Sequence, residues 1–547
     1  MKTRLDSSKA TRESFIPVHF NASGSGVMLS LWVAPQAMLL CHRRNLSAPL
    51  PEAPMPNNEF GDFQTPIELA RALVNTLPRR KWTRVLEPTC GVGNFLSVMA
   101  RSHPEAERVG IEVQPEYASY ASQFGRVVTA SIFDFDLACD VDWTSGPGPT
   151  LVIGNPPWVT NSQLSVLDSA NRPNRANTKN ARGIDAITGS SNFDIAEYIW
   201  IKLLTEFSDR PVTIAMICKT QVARNVLLHS AQQQLPVTGS SLRMIDAKKW
   251  FDAGVDACWF TVELGPGKTD YTAQTYPSID ASQPDNRIGV VDGQLVANVE
   301  AYERSKQFDG ASPLTWRQGI KHDAAAVMEL IENNGPRTKL GIGVDVEPDY
   351  LFPLFKCTDV YRDKLDSASK WMIVPQSHTG DDTELLASPA PKLWKYLTDN
   401  ADALDGRKSS IYRNRARFCI FGVGPYTFAP YKIAISGFHK IPQFRMVGPY
   451  DGKPAVFDDA TYLLPFEDPA SCAVAHALLT GPEATDLIAA LAFWDSKRPV
   501  TKKLLQRIDL SAIARETDKD TVRSRALTVH PNGSAVDQAM DAFTDRS

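Results

Sequence analysis

The sequence predicts an α/β protein, with a mostly parallel sheet in its N-terminal half and a mixed α/β domain behind it. Three observations predict this. From about residue 59 to 265, short β-rich runs alternate with helical runs, the pattern of parallel strands covered on both faces by helices. Acidic residues stand at or just after the ends of three of these strands, at Glu87, Glu112 and Asp134, where open α/β sheets gather their ligands. Beyond about residue 310 the alternation stops, and aromatics, prolines and glycines interleave with short runs. A chain of 547 residues exceeds one ordinary core, so two folded domains are expected.

Taken in order, residues 1–58 lack a sustained period and end in Pro51-Glu-Ala-Pro-Met-Pro56, which reads as an irregular arm. Apolar and β-branched runs predict strands over Arg84–Glu87, Glu107–Ile111, Val127–Ala130, Thr150–Ile153, Val212–Ile217, Leu242–Asp246 and Ala257–Glu263. Helical spacing predicts helices over Asn94–Arg101, Pro115–Phe124, Phe193–Phe207 and Lys219–Gln233. Residues 59–265 thus read as one domain. The polar stretch 266–309 reads as a linker, 310–515 as the second domain, and 516–547 as a polar tail with one short helix.

Composition narrows the function. The net charge is only -4, so any nucleic-acid surface must be a local basic patch. The eight cysteines form no C-x-x-C pair, which fits reduced thiols and no metal site. The apolar stretch Gly26–Leu40 is interrupted by Pro35 and Gln36 and is too short to span a membrane. A soluble, cytoplasmic protein without membrane contact is expected.

The first chemical signal is Val85-Leu-Glu-Pro-Thr-Cys-Gly-Val-Gly-Asn-Phe-Leu96. A strand ends in Glu87, and a turn through Pro88, Thr89, Cys90, Gly91 and Gly93 opens a helix. Glycines let the backbone approach a ligand closely, although such a turn also fits a dinucleotide site or a plain tight turn. In Val109-Gly-Ile-Glu-Val113, Glu112 ends the next strand, where a carboxylate can take two ribose hydroxyls. The third strand runs into Ser131-Ile-Phe-Asp134. Asp134 can accept from an adenine amino group, or cap a helix or turn. An anionic Glu87 in the first loop suits a cationic amino-acid ligand better than a pyrophosphate.

The second signal is Asn155-Pro-Pro-Trp158, directly after the strand Leu151-Val-Ile-Gly154. Two prolines stiffen the turn and remove two N–H donors. The Pro156 carbonyl and the Asn155 amide oxygen are left to accept from a ligand –NH2, and Trp158 supplies a face for stacking. Asn-Pro is also an ordinary turn opener, but its place after this strand favours a site.

With these motifs the chain resembles the gamma class of amino-methyltransferases of prokaryotic restriction–modification systems, over residues 59 to about 265. Phe60-Gly-Asp-Phe-Gln-Thr-Pro66 resembles the family segment that precedes the sheet and packs on the cofactor. The order of cofactor motifs, Asn-Pro-Pro-aromatic, then recognition domain, is the gamma order. The resemblance implies a Rossmann-like S-adenosylmethionine-dependent methyltransferase sheet with a C-terminal mixed α/β DNA-recognition domain. It implies S-adenosyl-L-methionine as cofactor, held by Thr65, Pro66, Glu87, Pro88, Thr89, Cys90, Gly91, Gly93, Glu112, Asp134 and Asn155. Asn155, Pro156, Pro157 and Trp158 are the implied catalytic residues. The implied partners are double-stranded DNA, methylated at N6 of adenine, and a separate cognate restriction endonuclease. The family usually carries tyrosine or phenylalanine where Trp158 stands. Phe251, in Trp250-Phe-Asp-Ala-Gly-Val-Asp256, lies where the family often places a second aromatic against the flipped base; it fits a core aromatic equally well.

The residues support an amino-transfer mechanism beside the resemblance. The lone pair of an aniline-like amino group is delocalised into its ring. Acceptance of both its N–H groups, by Asn155 and the Pro156 carbonyl, favours the sp3-like geometry of attack, and positioning supplies much of the rate. Methylation of cytosine C5 would want a nucleophilic thiolate, usually in a Pro-Cys dipeptide, and the sequence has none. N4-cytosine, RNA or protein-glutamine methylation, and a non-catalytic DNA-binding subunit, remain the rival readings.

Between Arg407 and Arg445 stand eight Lys or Arg residues and no Asp or Glu. Interleaved with aromatics, Arg407, Lys408, Arg413, Arg415, Arg417, Lys432 and Lys440 read as a DNA face, or as a solvated basic face. Arg172–Arg182 reads as a lid over the target strand or a polar loop. Gly265-Pro-Gly-Lys-Thr269 lacks the first glycine of a phosphate loop, having Val262 in its place. His322-Asp323 reads as a local hydrogen-bonding pair.

Overall fold

The structure, a computed structural model, describes residues 63–159, 194–332 and 335–544, with two short strands nearer the N-terminus, β1 (Ile16–Val18) and β2 (Leu31–Val33). Residues 1–55 form one compact unit and 56–547 another. In the first, β1 and β2 pair antiparallel; the rest of the expected irregular arm lies outside the described residues, as does the basic stretch 172–182.

The second unit is built on a ten-stranded sheet. Its strands are β3 (Arg84–Glu87), β4 (Glu107–Glu112), β5 (Arg126–Thr129), β6 (Thr150–Gly154), β7 (Val212–Lys219), β8 (Val237–Ile245), β9 (Ala257–Leu264), β10 (Thr272–Tyr276), β11 (Asn286–Val291) and β12 (Gln294–Val296). They lie in the order β12-β11-β10-β8-β9-β7-β6-β3-β4-β5. The β5-β4-β3-β6-β7 block is parallel, and β9 runs antiparallel between β7 and β8.

The central strands alternate into two cores, as a doubly covered sheet requires. On one face Val85, Leu151, Ile153, Ala215 and Ile217 pack under α1 (Ile67–Val74) and α2 (Asn94–Ser102). On the other, Leu86, Val152, Ile214 and Met216 pack under α4 (Ile195–Glu206) and α5 (Thr220–Gln232), which follow α3 (Pro115–Ala121) in the chain.

Two expectations from the sequence are corrected. The stretch read as a linker, 266–309, carries β10, β11 and β12 and α7 (Val299–Ser305), which follows the short α6 (Ala247–Phe251). These strands lie at the sheet edge and are only half covered, so their sequence is too polar to announce them. The polar tail forms two helices, Lys519–Val529 and Gly533–Thr544. Val522, Ala526, Val536, Ala539 and Phe543 from these helices enter the same core as Val296, Val299 and Trp316.

The rest of the C-terminal half holds two smaller sheets. One contains β13 (Arg317–Gln318), β18 (Tyr431–Ser436), β19 (Arg445–Val447) and β21 (Thr461–Phe466). The other contains β14 (Glu329–Glu332), β15 (Pro336–Arg337), β16 (Leu351–Phe355), β17 (Lys370–Ile373) and β20 (Val456–Phe457). Among the described residues no helix is long and apolar enough to cross a membrane, and no cluster of His, Cys, Asp or Glu could hold a metal ion.

Candidate active site

The strand order reverses at β3 and β6. From β3 the chain steps outward to β4 and β5, and from β6 it steps the other way to β7. A crevice opens at such a switch point, beyond the carboxyl ends of the strands. Glu87 ends β3 and Asn155 follows β6, so the two motifs of the sequence meet there.

After β3 the chain turns through Gly91 (φ +52°) and Gly93 (φ +77°) into α2. A β-carbon on Gly93 would stand 2.9 Å from that of Ala121, so only glycine lets α2 approach α3 this closely. The turn is tied to β4 by Glu112, whose Oε2 accepts from the Gly91 N–H at 2.8 Å while Oε1 accepts from the Gln114 N–H at 2.9 Å. Glu87 accepts from the Leu96 N–H at 3.1 Å. Burial pushes the Glu87 carboxyl well up; the Leu96 N–H opposes that rise and the nearby Glu112 charge adds to it. Burial and the same two carboxylates push the Cys90 thiol up, so this sulfur is no thiolate nucleophile.

A cleft of about 730 Å³, counted to its open mouth, occupies the crevice. Thr65, Glu87, Pro88, Thr89, Cys90, Gly91, Glu112 and Asn155 line it, with Pro156 and Pro157 at the β6 side. Pro66 instead starts α1 and Gly93 starts α2, both outside the lining. Asp134 is exposed in the turn after β5, and Ala130 and Ile132 line the cleft in its place. Sequence reasoning missed Gln64, Gln114 and Tyr117. Gln64 lies within the Phe60–Pro66 segment, and its Oε1 accepts from the Val92 N–H at 3.2 Å.

Asn155 is held from both ends. Its Nδ2 donates to the Phe63 carbonyl at 2.9 Å, and Trp158 Nε1 donates to its Oδ1 at 2.9 Å. Trp158 is buried, with Phe63 and Phe251 against its ring at centroid distances of 5.5 and 5.0 Å. The far end of the turn is pinned by a residue that the motifs did not suggest. Lys219, at the end of β7, donates to the Trp158 carbonyl at 3.3 Å and pairs with Asp194 at 2.7 Å.

No protein-family model matches the chain. It is 39% identical over 470 residues to the type II methyltransferase M.NspV of a Nostoc species, covering 84% of this chain and 97% of that protein. The chain belongs to the type II DNA methyltransferases. A shorter similarity, 33% over 100 residues, links it to the type II methyltransferase M.TthHB8I of Thermus thermophilus, covering 18% of this chain and 21% of that one. Among solved structures, the type IIL restriction–modification enzyme MmeI in complex with DNA aligns at 12% identity with a TM-score of 0.49, covering 87% of this chain and 70% of that one.

S-adenosylmethionine is the cofactor of this methyltransferase. The cleft fits it on its own chemistry. A deeply buried Glu87, held against the cost of burial without a Lys or Arg partner among the described residues, suits a ligand that brings a positive amino group. The Glu112 carboxylate stands in the lining as a hydrogen-bond acceptor, the kind of group that suits a diol, and Ile111, Ile132 and Tyr117 give apolar and aromatic walls.

The basic stretch of the methyltransferase does not form a single face. Lys408, Arg413, Arg415 and Lys440 are exposed. Arg417, also exposed, pairs with Asp405 at 2.8 Å. Arg407 is half-buried: it donates to the carbonyls of Leu404, His322 and Cys419 and lies 3.8 Å from the Tyr412 ring centre. Lys432 is corrected outright. It is 1% exposed within β18 and donates to the Ala429 carbonyl, and burial brings its ammonium down to about 7. His322 pairs with Glu329 at 3.4 Å rather than with its neighbour Asp323.

Proposed function

We propose that this methyltransferase transfers a methyl group to the N6 amino group of adenine in double-stranded DNA, in the gamma arrangement of motifs. The observation that carries the reading is that Asn155 and the cofactor-side carboxylates Glu87 and Glu112 line one cleft at the switch point of the sheet. S-adenosylmethionine, when bound, supplies a methyl group on a positively charged sulfur. Glu87, Glu112, Thr65, Gly91 and Ile132, in the turn after β5, are the groups that would hold it.

The chain's own contribution is positioning. The target base leaves the helical stack at a cost of a few kcal/mol and enters the cleft. Asn155 Oδ1 and the Pro156 carbonyl accept the two amino N–H groups, drawing the nitrogen lone pair out of the ring. Pro156 and Pro157 keep that wall free of competing N–H donors. With the Cys90 thiol neutral and buried, attack by an enzyme sulfur on a cytosine ring is disfavoured. Residues 310–515 select the sequence, with Lys408, Arg413, Arg415 and Lys440 as phosphate contacts, and a separate endonuclease of the same specificity is the expected partner.

The test is mass spectrometry of nucleosides from unmethylated bacterial genomic DNA treated with the enzyme and labelled S-adenosylmethionine. N6-methyladenine from the wild type, with the single-turnover rate at saturating cofactor cut about 10²–10³-fold in Asn155→Ala, supports the reading; that range is the usual loss for one transition-state hydrogen bond. N4-methylcytosine would keep the amino chemistry and overturn the substrate. A wild-type rate in Asn155→Ala would overturn both.

A further inference from the structure

The bond between Trp158 and Asn155 has a chemical meaning beyond stacking. The two partners of the Asn155 amide fix which end is which. If the amide were flipped, its NH2 would face the indole N–H and its oxygen would face the Phe63 carbonyl, and both bonds would be lost. Trp158 itself is 6% exposed. Two aromatic rings and the Lys219 bond to its carbonyl hold it in place. An indole N–H can only donate, whereas an amide oxygen can accept twice. Trp158 therefore occupies one lone pair of Oδ1, and the other remains for an incoming amino group.

We propose that Trp158 is a positioning residue, whose indole N–H aims the Asn155 oxygen at the amino group to be methylated. The proposal rests on the reading of Asn155 as the acceptor for that group. It gives a physical role to tryptophan here: phenylalanine offers the same kind of face, but no ring N–H to orient the amide. It also alters the stacking expectation, because a ring this deeply covered offers a base little open surface until Phe63, 37% exposed, moves aside.

Two measurements test it. The first is single-turnover methylation of unmethylated genomic DNA by Trp158→Phe. Positioning predicts a rate about tenfold lower, with unchanged affinities for cofactor and DNA, and no further loss when Trp158→Phe is added to Asn155→Ala. A rate equal to or above that of the wild type overturns the proposal; a faster rate would mean that the indole caps the acceptor and must leave. The second needs no activity. In enzyme with ¹⁵N-labelled tryptophan, the indole N–H absent from the Trp158→Phe spectrum is followed by hydrogen exchange. It should exchange at least tenfold faster in Asn155→Ala than in the wild type; equal protection in both overturns the proposal. Should the wild-type product prove not to be an amino-methylated base, the reading of Asn155 fails by that result alone, whatever the indole shows.

Discussion

Glu87 and Glu329 are each 3% exposed, yet their protonation is driven in opposite directions. Glu87, in the cleft at the switch point of the sheet, has one backbone donor and a second carboxylate nearby, and burial raises it. Glu329, in the C-terminal half, sits among Lys356 at 2.7 Å, His322 at 3.4 Å and Lys370 at 3.6 Å. Burial pushes it up as well, but His322 and Lys356 outweigh burial and bring it down to about 2. Where a carboxylate serves architecture, the fold supplies its counter-charge. At Glu87, which we propose serves the cofactor, the fold leaves the charge to be answered from outside. Of the two, Glu87 is the stronger site candidate, because its compensation is missing.

The largest effect that would test this contrast is on stability. Glu329→Gln should cost about 2–3 kcal/mol, somewhat less than the loss of a fully buried ion pair, because the lysines keep partial access to water. Its folded-state value lies below that of the unfolded chain, so its contribution is complete above about 4.5 and is lost as pH falls through about 2. Urea melts of both proteins from pH 7 to 2 should show the gap closing with acid. A gap independent of pH would mean that packing, not charge, sets the cost. Glu87→Gln should behave oppositely. Its carboxyl is raised on folding, so ionising it costs stability as pH rises above about 4.5. The amide should leave the melt of the cofactor-free enzyme unchanged or improved, and weaken S-adenosylmethionine binding about tenfold, or about 1.4 kcal/mol, by calorimetry. Unaltered affinity would remove Glu87 from the cofactor site.

Strands buried on both faces were legible in the sequence because their apolar runs are continuous. β3 lies where the pattern puts it, and β6 and β7 differ only at their ends. The positions of Glu87, Glu112 and Asn155 follow from those strand ends. Among half-covered strands β5 was legible from its β-branched run, whereas β10 to β12 were not, because each buries only one or two residues. Of the last two helices the sequence announced one, and Lys519–Val529 buries only Val522 and Ala526. Asp134 stands outside the cleft lining because the turn after β5 places Ile132, two residues earlier, there instead. The Trp158–Asn155 bond spans three residues across two prolines, and no spacing rule foretells which way an indole N–H will point there.

The smallest effect concerns the basic stretch, where composition alone cannot separate surface from interior. Arg413 and Arg415 are exposed and Lys432 is buried, although all three belong to one acid-free run. If the exposed pair meets phosphates, the double variant Arg413→Glu/Arg415→Glu should reduce the slope of log affinity against log salt by about two, near 0.9 per lost phosphate contact. Lys432→Met should leave that slope unchanged and show itself in stability instead. The folded-state value of Lys432 is about 7, against 10.5 for an unburied lysine. Between those values the unfolded chain holds a proton that the folded chain does not, so wild-type stability should rise with pH relative to Lys432→Met. Below about 7 both states are protonated and the difference should level off. Fluorescence binding titrations at several salt concentrations, paired with melts from pH 6 to 10, separate the two roles. A changed salt slope in Lys432→Met would place that lysine against DNA and undo the distinction between the exposed and buried ends of the run.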